Sequence, residues 1–439
     1  MPDGRVPSRP IGGTIPIARG NEGLSNTDKE ERYMLEESGF LSLSKMNFDV
    51  SEEQEMILEQ VDRVCREIRP VEDKCYLERK INDRVVPAFS KAHLLGLPVS
   101  RKYGDGQGAD MVTYALATER IGREGTGIRT FFSVHMGLGE LTVQHWANEE
   151  QRQRFLTPAT RGESVLAFGL TEPNAGSDPA SLTTSFEEKG GRYVISGQKM
   201  WISLGSMAKY ILIFAYPKGK KEGMCAFMVD TDSPGFKAEL IPHKLGLPTA
   251  DTSTLYLDQV EVSSENMLGP RGKGLSVALS GLMNGRLSVA AGCVGVMQDC
   301  LDESVSYSGV RYQHGKLIGK HQLIQRHIGI ISTNLQAAKL LVLKAAYLKQ
   351  KHEENPSKVE LREETDLAIA RAKYFAANAS FDAANRAVQI FGANGYSLEN
   401  RPARHLADTR VTMIYEGANE ILEQKVALGS LGKDFVAYS

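Results

Sequence analysis

Five short segments of this 439-residue sequence combine polar and small residues in ways that could support chemistry. In TMIYEGANEIL, residues 412–422, a carboxylate, Glu416, lies between a tyrosine and a glycine within a helical pattern. A Glu before a Gly is usually a helix end that meets solvent. The same carboxylate, if it is buried in a site, could act as a general base. Its role therefore depends on what the other segments place around it.

Two segments in the middle of the chain could hold a flat or phosphorylated ligand. In FGLTEPNAGSD, residues 168–178, small residues and a proline leave backbone N–H groups exposed, and these donors could bind a phosphate together with Thr171 and Ser177. Read alone, the segment is also typical of a plain turn. In KMWISLG, a strand places the indole of Trp201 and the hydroxyl of Ser203 on one face. Such a face suits a flat aromatic cofactor, although a half-buried Trp in a sheet is the commoner case.

Two further segments carry cations, amides and glycines near the ends of long helical patterns. RYQHGKLIGKHQLIQ contains Arg311, which can bind a phosphate through two hydrogen bonds, and Gln322. A basic loop between helices is the alternative reading. In VQIFGANGY, Gln389 precedes Gly392 and Gly395, which either cap a helix or let the backbone approach a ligand. The motif is not G-x-G-x-x-G and follows a helix, so a Rossmann dinucleotide site is not indicated.

The hydrophobic pattern predicts the elements that position these segments. Residues 1–47 are rich in Gly, Pro, Ser and charge, and they indicate an extension with at most a short docking helix. The pattern over 48–165 is helical and begins with a capping box at Ser51. Short β-branched and aromatic runs over 166–275 predict an antiparallel β domain. The pattern over 276–439 is helical again and predicts a bundle.

Composition and charge limit the class of protein. The formal net charge of -2 argues against a nucleic-acid-binding protein. The five cysteines form no C-x-x-C pair, so neither a disulfide framework nor a metal site is predicted. The N-terminus lacks a signal-peptide core, and no run approaches the roughly 20 apolar residues of a membrane span. We therefore expect an intracellular protein that binds neither nucleic acid nor membrane.

In this order and at these spacings, the five segments resemble the acyl-CoA dehydrogenase family of flavoproteins, and a further stretch, GTGIRTFFSVHMGLGELTVQHWANEEQRQRF, resembles its glutaryl-CoA dehydrogenase branch. The resemblance covers residues 48–435. It implies an α+β fold with an N-terminal helical domain, a middle antiparallel β domain and a C-terminal four-helix bundle. It also implies FAD as the cofactor and an acyl-CoA thioester as the substrate.

The resemblance divides the FAD-binding residues into two sets. The first set would hold the flavin and its phosphates, and comprises Phe168, Leu170, Thr171, Gly176, Ser177, Trp201 and Ser203. The second set would reach the FAD of a neighbouring subunit, and comprises Arg311, Gln313, His314, Gln322, Gln389, Gly392 and Ala393. Ser203, His314 and Ala393 differ from the commoner Thr, Phe and Gly, and Ala418 replaces a Thr beside the flavin. A site shared between subunits implies a homotetramer, built as a dimer of dimers.

Glu416 matches the catalytic base of the family. The α-proton of a thioester is weakly acidic, so a desolvated carboxylate with a raised pKa must remove it while hydride leaves the β-carbon for the flavin. The resemblance suggests that the N–H of Glu416 and a ribityl hydroxyl polarise the thioester carbonyl. Arg286 would help to hold the CoA portion. The implied substrate-binding residues are Arg129, Thr130, Ser133, Ser177, Arg286, Tyr415 and Gly417.

Arg129, in the apolar segment GTGIRTFFSVH, bears on the choice of acyl chain. An Arg there would be costly to bury without an anionic partner, and in the glutaryl branch an Arg at this place binds the distal carboxylate of the substrate. The alternative is that Arg129 pairs with Glu124 or Glu140. Decarboxylating members of the branch carry a Glu seven residues earlier, where this chain has Gly122. The resemblance therefore leaves decarboxylation open.

The expected function is α,β-dehydrogenation of a short acyl-CoA with a distal carboxylate, glutaryl-CoA above all, in fatty-acid or amino-acid catabolism. A short- or branched-chain acyl-CoA dehydrogenase is the first alternative. A flavin monooxygenase of the same fold and a non-catalytic acyl-CoA-binding protein are the others. The family mostly transfers electrons to electron-transferring flavoprotein, which is the expected acceptor. The N-terminal segment is not typical of a transit peptide, so we expect a prokaryotic cytoplasm, or the mitochondrial matrix if the protein is eukaryotic.

Overall fold

Helices come first, strands second and helices again last in the computed structural model, which describes residues 49–435. The predicted extension, residues 1–47, lies outside the described residues. The first block contains six α-helices and one π-helix: α1 (Glu52–Glu78), α2 (Val85–Lys91), α3 (Met111–Glu124), α4 (Thr126–Phe132), the π-helix (Ser133–Glu140), α5 (Leu141–Trp146) and α6 (Glu149–Thr160).

The capping box at the start of α1 is confirmed. The N–H of Gln54 donates to the Ser51 hydroxyl, and the Gln54 side chain accepts from the N–H of Ser51. A second capping box, formed by Asn148 and Gln151, begins α6. These exchanges satisfy backbone donors that the first turn of a helix leaves free.

The second block is one eight-stranded sheet, with strands β1 (Leu166–Gly169), β2 (Ser185–Lys189), β3 (Arg192–Ser203), β4 (Tyr210–Pro217), β5 (Cys225–Asp230), β6 (Phe236–Leu240), β7 (Thr252–Ser263) and β8 (Met267–Leu268). Their order is β6-β7-β3-β2-β4-β5-β8, with β1 beside β4. Most pairings are antiparallel, as predicted, but both β1 and β2 run parallel to β4.

The third block is a helical bundle, built from α7 (Gly274–Val310), a hairpin of β9 (Tyr312–Gln313) and β10 (Lys316–Leu317), α8 (Gln322–Glu354), α9 (Val359–Phe391), α10 (Arg401–Thr409) and α11 (Asn419–Leu431). Helix α7 packs against α8, α9 and the earlier α3, and α9 also packs against α10 and α11. Alanines on α9 let these helices approach closely.

Two described helices, α7 and α8, are long and apolar enough to cross a membrane by length and composition alone. The apolar part of α7 is 78% buried inside the fold, so α7 is the core helix of the bundle. The corresponding part of α8 is only 28% buried, and Leu323 and Leu340 are exposed on it. Helix α8 is therefore less covered than α7, and it exposes leucines among polar residues such as Gln325 and Gln336.

A buried ion-pair network fixes α10, the helix that leads into the segment of Glu416. Asp299 on α7 lies 2.8 Å from Arg69 on α1 and 2.7 Å from both Arg401 and His405 on α10. Burial raises the pKa of Asp299, but Arg401, His405 and Arg69 outweigh it and hold this pKa well below its usual value. The network joins the first and third blocks directly below the candidate site.

Candidate active site

One face of α7 organises the candidate site. Gly281, Gly285 and Gly292 recur at helical spacing on this face, and each gives room to a side chain from elsewhere. A β-carbon at Gly281 would lie 3.0 Å from the ring of Phe168. A β-carbon at Gly285 would lie 2.6 Å from the carboxyl carbon of Glu416. Phe168, a member of the first predicted FAD-binding set, and Glu416, the predicted base, therefore contact α7 one helical turn apart.

Arg129 meets the same face further along. A β-carbon at Gly292 would lie 2.7 Å from both Cγ and Cδ of Arg129. Gly285 and Gly292 are seven residues apart, which is about 10 Å along a helix that rises 1.5 Å per residue. Ser288 lies between them, and its buried hydroxyl has no hydrogen-bond partner among the described residues. Glu416 and Arg129 thus contact the same face of α7 about two helical turns apart.

Glu416 has the features of a base. It follows α10 and a short 3₁₀ turn, and its backbone is left-handed at φ 55°, which is strained for a residue with a side chain. Its Oε2 is buried and accepts no hydrogen bond from residues 49–435. Burial raises its pKa to about 7, against the opposing charges of Arg286, Arg129 and Lys373. The carboxyl group therefore changes its charge near neutral pH.

Arg129 is 2% exposed and lies on α4. Its guanidinium donates to the hydroxyl of Tyr415 and lies 5.6 Å from the centroid of that ring. No ion pair within residues 49–435 includes Arg129. Glu124 lies 3.6 Å from Arg69 instead, and neither oxygen of Glu140 has a hydrogen-bond partner in that range. The alternative that Arg129 pairs with Glu124 or Glu140 is therefore wrong.

Of the two predicted hydroxyl neighbours of Arg129, only Ser133 is free to donate. Its hydroxyl is buried and has no partner in the described part of the chain. Thr130 donates to the carbonyl of Thr126 at 2.8 Å, so its hydroxyl hydrogen is used inside α4. Thr130 must give up this intrahelical hydrogen bond before it can donate to a substrate, and its predicted role stays a prediction.

Residues of the first predicted FAD-binding set lie together. Phe168 and Leu170 are buried at the end of β1, and the carbonyl of Thr171 accepts from the N–H of Met200 at 2.9 Å. This hydrogen bond brings the segment beside Trp201. Lys199, the residue before Met200, is fully buried and pairs with Glu172 at 2.8 Å, and it also donates to the carbonyl of Leu170.

The loop after β1 and the end of β3 are open toward solvent. Gly176 and Ser177 are exposed, and their N–H groups donate to no acceptor in the described structure. A bulge in β3 places Trp201 at φ 62° with 55% of its side chain exposed. Ile202 is buried, whereas Trp201 is exposed and Ser203 is partly exposed, and a shared face for the indole and the hydroxyl stays a prediction.

Residues of the second set also lie together. Arg311, Gln313, His314, Gln322, Gln389, Gly392 and Ala393 are all exposed. Tyr307, just before the hairpin, stacks on Phe391 at 4.1 Å between ring centroids and accepts from Asn394. The hairpin and the glycine turn are therefore at one end of the bundle. No hydrogen bond or ion pair of the described chain joins this end to residues 168–203.

Arg286 lies beneath the base and not in an open position. Its Nε donates to the carbonyl of Glu416 at 2.9 Å, and Nη1 lies 3.7 Å from Asp366. These contacts use only part of its guanidinium, and the predicted role of Arg286 in holding CoA stays a prediction. Gly417, at φ 97°, and Ala418 complete the turn, and Ala418 offers no side-chain cap to α11.

Sequence reasoning missed several buried polar groups of the site. Tyr114 on α3 and Asn284 on α7 each carry a buried oxygen without a hydrogen-bond partner in the described range. Thr142, beside Phe168 at the Gly281 contact, is another. The spacing of Asn284 and Ser288, four residues apart among glycines in an apolar helix, is the signal that could have identified them.

Three family models match the chain in the order of the three blocks. They are described as the N-terminal, middle and C-terminal domains of acyl-CoA dehydrogenase and match residues 51–163, 167–260 and 272–431. An acyl-CoA dehydrogenase of Bacillus subtilis is 35% identical over 85% of this chain and 96% of that protein. The caffeyl-CoA reductase-Etf complex subunit CarC of Acetobacterium woodii is 34% identical over 80% of this chain and 89% of that protein.

Two solved structures are similar throughout. The butyryl-CoA dehydrogenase of Megasphaera elsdenii superimposes with a TM-score of 0.83 and 31% identity, over 88% of this chain and all of that one. A complex of glutaryl-coenzyme A dehydrogenase with glutaryl-CoA gives a TM-score of 0.82 and 32% identity, over 88% of this chain and 97% of that one. Similarity to both enzymes fixes the fold but leaves the acyl chain undecided.

Proposed function

The chain belongs to the acyl-CoA dehydrogenase family, and we propose that it oxidises a short acyl-CoA that ends in a carboxylate, with glutaryl-CoA the leading candidate. The family consists of FAD-dependent oxidoreductases, and the chain spans all three of its domains. The proposal concerns the acyl chain, the partners and the roles of single residues.

The residues of the first predicted FAD-binding set, together with Thr142, fit FAD. The buried hydroxyl of Thr142, without a partner in the described structure, lies beside Phe168, where a polar edge of a flavin can meet it. The free N–H groups of Gly176 and Ser177 suit phosphate oxygens, and the exposed indole of Trp201 suits a flat ring. When bound there, FAD accepts the hydride that leaves the β-carbon of the substrate.

We assign the second set of residues to the FAD of a neighbouring subunit. These residues are all exposed, no hydrogen bond or ion pair of the described chain joins them to residues 168–203, and α8 exposes Leu323 and Leu340. On these grounds we propose an assembly of copies, a homotetramer. We propose electron-transferring flavoprotein as the acceptor, because a similar protein is a subunit of an Etf-containing complex. The cytoplasmic location stays a prediction.

Glu416 acts as the base in this proposal. Its unpartnered Oε2 takes the α-proton, and the hydride leaves the β-carbon in the opposite direction, so that a C–C double bond forms between the two carbons. The N–H of Glu416 donates to no acceptor in residues 49–435 and is therefore free to stabilise negative charge on the thioester oxygen. A pKa of about 7 lets the carboxylate be ionised before the reaction and protonated after it.

One observation carries the choice of substrate: Arg129 is buried, and no carboxylate of the described chain lies within 4.0 Å of its guanidinium to form an ion pair. A buried guanidinium without a counter-ion is costly, and a substrate carboxylate supplies the missing charge.

We further propose that the unsaturated product keeps its carboxylate. Decarboxylating relatives carry a Glu at the place of Gly122, and a β-carbon at Gly122 would lie 2.6 Å from the Cα of Gly292. Helix α3 therefore touches α7 backbone to backbone at this point, and an acidic side chain has no room there.

The test is anaerobic titration of the FAD-loaded protein with glutaryl-CoA and butyryl-CoA, followed by product analysis. We expect glutaryl-CoA to bleach the flavin at lower concentration and to yield glutaconyl-CoA rather than crotonyl-CoA and CO₂. Faster bleaching by butyryl-CoA would favour the short-chain alternative and reject the carboxylate proposal.

A further inference from the structure

The turn that carries Glu416 is strained and lacks a helix cap. Glu416 and Gly417 both have positive φ, at 55° and 97°. Helix α11 begins directly after Ala418, and an alanine at the N-cap position has no side-chain acceptor for the free N–H groups of the first turn. Contacts from other elements must therefore keep the turn in place.

Two buried cations from different helices bind consecutive carbonyls of this turn. The ammonium group of Lys373 on α9, which is 0% exposed, donates to the carbonyl of Gly417 at 2.7 Å and to Oδ1 of Asn419 at 3.0 Å. Nε of Arg286 on α7 donates to the carbonyl of Glu416 at 2.9 Å. Helix α9 therefore holds the turn at Gly417, and helix α7 holds it at Glu416.

Lys373 has no ion-pair partner within 4.0 Å in the described chain, although a buried ammonium is costly. The charged and titratable groups that face it are Glu416, Glu420 of α11, and Arg286 and Cys293 of α7. Burial lowers the pKa of Lys373 to about 8. The free-energy cost of burying this ammonium group is expected where its positive charge contributes to function.

We propose that Lys373 is a positioning residue for the catalytic base: its ammonium group fixes the strained turn through Gly417 and Asn419, and its positive charge favours the ionised form of the nearby Glu416 carboxylate. The inference rests on the proposed role of Glu416 as the base. Arg286, Arg129 and Tyr415 are the other polar groups around this carboxylate, so Lys373 is one of three cations that favour its charged form.

The perturbation is Lys373→Met, which keeps the length of the side chain but removes its charge and its donors. The acid limb of flavin reduction should then move up by about one pH unit, because the Glu416 carboxylate loses a favourable charge. The rate on the high-pH plateau should also fall, because the turn loses two hydrogen bonds. Lys373→Arg retains the charge and should keep its midpoint near that of the wild type.

Two more variants separate positioning from charge. Asn419→Ala removes one acceptor of Lys373 and leaves the ammonium, so it should slow reduction without moving the midpoint. Lys349→Met is the matched control, because Lys349 on α8 is also buried but bonds only to Glu353, one turn along its own helix. It should leave both the midpoint and the plateau unchanged.

Two readouts on the FAD-loaded protein decide the inference. The first is the pH profile of anaerobic flavin reduction by the thioester that bleaches the wild type fastest. The second is the infrared carboxyl band of Glu416, identified by its loss in Glu416→Gln and followed against pH without substrate. A band that titrates at the same pH in Lys373→Met and the wild type overturns the inference. If no thioester bleaches the wild type, the proposed function fails, while the infrared titration still tests Lys373.

Discussion

Replacement of Arg129 should remove the preference for a carboxylate-ended substrate. In Arg129→Gln the distal carboxylate of glutaryl-CoA enters a buried site without a counter-charge. Removal of one partner of a buried ion pair costs about 3 to 5 kcal/mol, which corresponds to a loss of roughly 10²- to 10⁴-fold in kcat/KM. Butyryl-CoA has no carboxylate to pair, so its kcat/KM should change by less than about tenfold.

The assay is steady-state turnover of both thioesters with an artificial electron acceptor, in the wild type and in three variants. Tyr415→Phe removes the hydroxyl to which Arg129 donates and should cost about 1 kcal/mol, or roughly fivefold, with glutaryl-CoA. Arg101→Gln is the control, because Arg101 forms an exposed ion pair with Glu53. This variant should leave kcat/KM unchanged with both substrates. Equal losses with both thioesters in Arg129→Gln, or no loss with glutaryl-CoA, would refute the reasoning.

Further predictions concern the glycine face of α7 and the network below the site. Gly285→Ala places a methyl group against the carboxyl of Glu416, so kcat should fall at least tenfold with every substrate while the melting temperature changes little. Gly292→Ala crowds Arg129 instead and should impair glutaryl-CoA selectively, and an equal effect of both variants on both substrates would contradict this assignment. Asp299→Asn should lower the free energy of unfolding by about 3 kcal/mol at neutral pH. Because the folded state lowers the pKa of Asp299, the stability that this carboxylate contributes is present above the pKa of the unfolded chain and disappears as pH falls, so denaturant unfolding of the two proteins should converge in acid.

Local patterns predicted the order of the three blocks and the capping box at Ser51, because periodicity and capping depend on residues close in sequence. The parallel pairings of β1 and β2 with β4 were not predicted. They join strands far apart along the chain, and the side-chain alternation within a strand does not encode its direction relative to a neighbour.

Local sequence patterns also predicted part of the candidate site, but not the residues that tertiary packing brings to it. The segments around Glu416 and Trp201 stood out by their composition, and the family resemblance related them to each other. Lys373 did not stand out, because it is one of many charged residues in an amphipathic helix and its contacts lie 44 residues away at Gly417. The position of Arg286 beneath the turn and the isolation of Arg129 likewise depend on tertiary packing.

Anaerobic reaction of the wild type and Glu416→Gln with glutaryl-CoA in deuterium oxide tests the central claim most directly. Flavin absorbance and deuterium at the α-carbon are measured together across a range of pH. The wild-type rate should rise with pH through a single ionisation near 7, because the carboxyl group must lose its proton before it can act as a base. Glu416→Gln should lose roughly 10²- to 10⁴-fold in both signals. Bleaching and exchange at the wild-type rate in Glu416→Gln would contradict the assignment of Glu416 as the base.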